Sequence, residues 1–213
     1  MGDVREGRVV ARAFKRKGER YVARMDELER NIVAGLMEQT RDLLAPPERP
    51  STGDPFEDLV AGLGISLAAE DQVPEAPAAP EDRDPALDRL LPTAHRGDDQ
   101  VAAEFRRLTE HDLRDRKAAG LAVAVGALRA ATGDRLELTK EQAHATVVAL
   151  TDTRLLLGER MGLRTDEDAT ELHERAASLD PDDPAVYAIS VYEFLTWLQE
   201  SLTGALMGRG LFG

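Results

Sequence analysis

The chain has 213 residues, 42% of them apolar and only 4% aromatic, with no cysteine and a formal net charge of −13. That length and apolar share suffice for one sizeable core, and the missing cysteines exclude disulfides, thiolate chemistry and Cys-bound metals within it. No apolar run nears the roughly 18 residues a membrane span needs, and the opening MGDVREGRVV lacks the apolar centre of a signal peptide, so the sequence points to a cytoplasmic protein without a membrane partner.

The charge is uneven. Residues 1–24 hold eight basic residues and three acidic ones, which leaves −18 on the rest. Such a body repels phosphate backbones at long range, so any nucleic-acid contact needs a local basic feature. RVVARAF (8–14) and RYVARM (20–25) alternate with period two around KRKGE. This predicts a β-hairpin with Gly18 as the left-handed residue of a three-residue loop. In that register Val9, Ala11, Ala13, Tyr21, Ala23 and Met25 share one face. Arg8, Arg12, Arg20 and Arg24 share the other with Val10, Phe14 and Val22, while Lys15, Arg16 and Lys17 sit at the tip. These seven cations are the candidate contact for nucleic acid or a protein partner. The competing reading pairs them with the acidic body of the same chain or of its partner. A two-stranded ribbon is marginal alone and must lean on the helices.

Asp26, with Glu29 three residues on, reads as a capping box opening the helix DELERNIVAGLMEQTRDLLA, which Pro46-Pro47 ends. Residues 46–88 then hold eight of the eleven prolines and eleven acidic residues against two basic ones. PFEDLVAGLGIS (55–66) has the spacing of a short helix, whereas 68–84 has no period and reads as an acidic, Pro/Ala-rich linker. DPALDRLLP (84–92) restarts helical spacing. From 98 onward the pattern is helical almost to the end. Val101, Phe105 and Leu108 lie on one side of the first long helix. Leu113, Leu121, Ala124 and Leu128 lie nearly opposite, which predicts a break at Thr109–Asp112. Thr139 and Gln142 form a second capping box, opening a helix to about Gly162. A short polar helix is expected over 168–178. Pro184 starts a last helix that is apolar around most of its circumference, as in the middle of a bundle.

The fold class read from these elements is mainly α: a helical bundle with a small N-terminal β-hairpin and an acidic Pro-rich linker. The expected division is 1–66 hairpin plus helix, packed on the core; 67–84 linker; 85–207 helical core; 208–213 disordered tail. The unusually apolar last helix further suggests a homodimer.

FRRLTEHDLRDRKAAG (105–120) concentrates basic residues and raises the question of a recognition helix. At helical spacing Glu110 meets Arg114, Asp112 meets Arg116, His111 meets Asp115 and Glu104 meets Arg107, which consumes most of the patch. Lys117 falls on the apolar stripe between Leu113 and Leu121, where it must snorkel or meet a carboxylate. The stretch therefore reads as a self-neutralised structural network. Glu141 and His144 make a single E-x-x-H spacing without the second copy of a di-iron bundle. Phosphate-binding glycine loops and hydrolase motifs are absent from the sequence. The composition thus predicts no enzyme, no cofactor and no metal.

EFRRLTEHDLRDRK (104–117), LTDTRLLLGERMGL (150–163) and YEFLTWLQESL (192–202), in that order behind a short β-hairpin, resemble an actinobacterial family of unknown function. Its genes commonly lie beside the Clp protease adaptor gene, and its members include the actinomycete oxidative stress transcriptional regulator. The resemblance covers about 8–66 and 84–207. It implies transcription regulation by protein contact with RNA polymerase or a sigma factor, with DNA contact through the hairpin as an addition. The alternative it implies is an adaptor or accessory factor tied to Clp proteolysis. A thiol-based sensor needs cysteines, and this chain has none. Oxidation of its five methionines would be the remaining route, although Met37 and Met161 read as buried.

Overall fold

The computed structural model describes residues 11–45, 83–92, 99–176, 178–180 and 183–208. Two strands, β1 (Arg12–Lys17) and β2 (Arg20–Arg24), form the hairpin. Lys17 pairs with Arg20, so the loop has two residues, Gly18 and Glu19, rather than three. Gly18 alone takes positive φ, at 63°, which is the chemistry of a type II′ turn with glycine at its first central position. Between Arg12 and Lys15 the register shifts, so that Ala13 and Phe14 together face Ala23. This bulge turns Phe14 away from the arginines with which strict alternation grouped it, and the ring is buried at 4% exposure.

The hairpin is also not the whole sheet. A third strand, β3 (Arg135–Leu138), pairs antiparallel with β2, placing Leu138 opposite Tyr21 and Leu136 opposite Ala23. These four side chains are buried on the face that meets the helices. The order is β1-β2-β3.

Six helices lie among the described residues. α1 (Glu27–Leu44) opens on the Asp26–Glu29 capping box. α2 (Pro85–Leu90) is capped by Asp84. α3 runs unbroken over Asp99–Ala130, which corrects the expected break at Thr109–Asp112. Ending a helix there would orphan several N–H and C=O groups, while carrying Thr and Asp through it costs only a few tenths of a kcal/mol each. At 32 residues the rod is about 48 Å long. α4 (Lys140–Arg160) opens on the Thr139–Gln142 capping box. α5 (Asp166–Ala176) and α6 (Pro184–Leu206) follow.

The architecture is mainly α with the small sheet at its N-terminal side. α1, α3, α4 and α6 pack in succession, α2 lies on α4, α5 on α6, and β1 against α6. One core cluster draws on all of these except α5. α6 is less enclosed than its composition suggested. Leu195, Leu198 and Leu202 are buried, yet Tyr187 is 60% exposed and Phe194 and Trp197 stack half-buried, with ring centroids 5.9 Å apart. Of the methionines read as buried, Met37 is fully so and Met161 only half. The helix expected over 55–66, most of the linker and the tail beyond Gly208 lie outside the described residues. No described helix is long and apolar enough to cross a membrane.

Candidate anionic-partner interface

The sheet has one face on the helices and one turned outward. Tyr21, Ala23, Leu136 and Leu138 point inward, so their neighbours in register point out. The outward set is Arg12, Lys15 and Lys17 on β1, Arg20, Val22 and Arg24 on β2, and Arg135 and Glu137 on β3. All the charged members are exposed. Arg12 stands directly opposite Arg24, and Lys17 directly opposite Arg20. Like charges in such cross-strand positions oppose pairing. Relief is partial: Arg24 lies 3.7 Å from Asp134, and Arg135 pairs with Glu137. Arg12, Lys15, Lys17 and Arg20 make no ion pair with a described residue. Arg16 falls on the other face at the tip, where its Nε donates to the Gly18 carbonyl at 3.0 Å. Arg8 lies outside the described residues.

A residue with no sequence signal holds this sheet in place. Arg30 is 7% exposed on α1. Its guanidinium donates to the Met25 carbonyl at 2.8 Å, the Ala131 carbonyl at 3.3 Å and the Gly133 carbonyl. These acceptors belong to the end of β2 and to the α3–β3 turn, so one side chain ties both strands to α1. At β1, Ser201 of α6 accepts the Phe14 N–H at 3.3 Å and the Glu29 carboxylate accepts the Ala11 N–H at 3.3 Å.

The other basic stretch is occupied with its own chain. Arg114 reaches Glu110 at 2.8 Å and the Leu44 carbonyl at 3.3 Å, and Arg83 reaches Glu110 at 3.1 Å. Burial pushes the Glu110 carboxyl up, but the hydrogen bonds and charges of Arg114 and Arg83 outweigh it and hold the group below its ordinary range. Arg116 Nε donates to the Asp112 backbone carbonyl at 3.3 Å rather than to its carboxylate, and His111 lies 3.5 Å from Asp115. The Glu104 and Arg107 side chains lie outside those described. Lys117 meets Asp152 of α4 at 2.6 Å. Burial raises the Asp152 carboxyl above its usual value against the pull of that ammonium, and its Oδ2 has no partner among the described residues. Among the described residues no three His, Asp or Glu side chains gather as a metal site.

No solved structure matches the chain. Residues 11–206 match the model of a domain of unknown function, DUF2017, and the chain belongs to that family. An AosR-named protein of Mycobacterium leprae is 33% identical over 173 residues, covering 75% of this chain and 71% of the relative. The oxidative stress regulators AosR of Mycobacterium bovis and Mycobacterium tuberculosis are each 32% identical over 139 residues. Those alignments cover 59% of this chain and 59% of the relative, so the chain spans less than two thirds of their length. The family likeness carried by the three helical strings is thereby confirmed. The relatives are named as regulators, not as enzymes.

Proposed function

We propose that this chain is a non-enzymatic regulator of the oxidative stress response, acting in the cytoplasm through its basic sheet face on an acidic surface of the transcription apparatus, RNA polymerase or a sigma factor. The observation that carries the reading is the arrangement of Arg12 opposite Arg24 and Lys17 opposite Arg20, with Lys15 between them. A chain with −18 outside its first 24 residues has carboxylates enough to neutralise that face. It leaves four of the cations without a described partner. Cross-strand repulsion is retained at a cost to the fold, and an incoming anionic surface would relieve it. The names of the mycobacterial relatives supply the physiological setting.

DNA is the second reading, because a two-stranded basic ribbon can follow a groove. It is disfavoured by the acidic body behind the ribbon. The signal is not read by a thiol of these 213 residues, since there is none. The same proposal takes the chain as a homodimer, with 1–66 and 85–207 as one packed unit joined by the acidic 67–84 linker. Fluorescence anisotropy of the labelled chain against polymerase holoenzyme, isolated sigma factor and a DNA duplex tests it. Salt-sensitive binding to a protein target with weak binding to the duplex is expected. Duplex binding alone would overturn it in favour of the second reading.

A further inference from the structure

The two edges of the sheet are treated differently. At β1 the outward amide of Phe14 is capped by Ser201, and α6 lies against the strand. At β3 the Met25 N–H donates to the Asp134 carbonyl at 2.9 Å, so Asp134, Leu136 and Leu138 turn their backbone groups toward β2. Alternation then turns the N–H and C=O of Arg135 and Glu137 to the outer edge. Neither amide donates to a described residue. The next outward amide, Thr139, is already bonded to Gln142 Oε1 at 2.9 Å. Among the described residues the open edge is therefore two residues of one register, Arg135 and Glu137, with side chains 55% and 42% exposed on the outer face. An unpaired edge is a template for another strand.

We propose that this edge pairs with the same edge of a second copy, antiparallel across a two-fold axis at Leu136. This rests on the self-association just proposed and gives it a location. Three registers bring outward-facing backbone groups together. One sets Arg135 against the second copy's Arg135 and one sets Glu137 against its Glu137, and both are penalised by like charge. The third sets Arg135 against the second copy's Glu137 and Glu137 against its Arg135. It forms two opposite-charge pairs and four backbone hydrogen bonds around the Leu136 pair, and it is isologous, as a two-fold contact must be. Charge alone thus selects one register. The product is a continuous six-stranded sheet. Its two β1 strands, which carry most of the unpaired cations, lie about 24 Å apart at five strand spacings. A four-residue edge buries less than a permanent dimer interface, so the contact is concentration-dependent.

The test is a charge swap followed by sedimentation velocity. Arg135→Glu and Glu137→Arg each place like charges opposite one another in the pair, and each is expected to weaken self-association about tenfold or more. The two single variants mixed together regain both opposite-charge pairs, as does the double variant with itself. Both are expected to associate like the wild type. The positions are exposed, so circular dichroism spectra and melting temperatures should match, and rescue on mixing itself shows that both variants are folded. Wild-type association that neither reversal changes would overturn the β3 contact and leave self-association standing elsewhere, for instance at the half-exposed face of α6. A wild-type chain that stays monomeric at every concentration would overturn both readings.

Discussion

Arg30 sits one turn into α1, and its guanidinium leaves the helix to collect the carbonyls of Met25, Ala131 and Gly133. Truncating it strands three acceptors at a largely buried place, at 1–3 kcal/mol for each group left unsatisfied. Arg30→Ala is expected to lower stability by about 3 kcal/mol in urea denaturation, with Arg30→Lys recovering only part, because an ammonium cannot span three acceptors as the planar fork does. Glu110 gives a pH handle. Its folded carboxyl is held below the ordinary value of 4.5, so its contribution is present above 4.5 and lost as pH falls through the folded value. Melting curves of Glu110→Gln against wild type should show a shallower acid limb for the variant and converge at low pH. At this scale the sequence was informative where a charge stood on an apolar stripe. Lys117 had either to snorkel or to meet a carboxylate, and it meets Asp152. Arg30 gave no such sign, because an arginine on the first turns of a helix reads as solvated and two of its three acceptors, Ala131 and Gly133, lie more than 100 residues away.

The helices were readable because their information is local. Asp26 with Glu29 and Thr139 with Gln142 each satisfy orphan amides reciprocally, and both boxes stand as the spacing indicated. Removing one should cost what a cap is worth: Thr139→Ala is expected to lower stability by about 1 kcal/mol, read from the urea midpoint with the slope unchanged. The strand β3 was not readable. RLEL is four residues with period two, too short to separate from a loop before a helix, and its meaning comes from pairing with β2 far back in the chain. The bulge at Ala13–Phe14 escaped for a similar reason, since a register shift leaves no mark in an alternating string. Both omissions fall on the sheet that forms the candidate interface. The arginines were therefore visible in the sequence, but the like-charge pairs that give them meaning were not.

Over the whole molecule a basic patch faces outward from a body of opposite sign. The body's field attenuates the patch at a distance, and screening at physiological salt confines both to about 8 Å. A partner of the proposed kind would then be recognised by close complementarity more than by long-range steering. The face can be inverted without touching the core, because Arg12, Lys15 and Arg20 are exposed and unpaired among the described residues. Their replacement should even relieve the repulsion at Arg12–Arg24 and Lys17–Arg20. The most direct measurement compares wild type with Arg12→Glu/Lys15→Glu/Arg20→Glu in anisotropy titrations against polymerase holoenzyme at low and physiological salt, with a thermal melt of each. The expected result is salt-sensitive binding by wild type, its loss in the triple variant, and a melting temperature that is unchanged or higher. Equal binding by the two chains would contradict the assignment of function to this face.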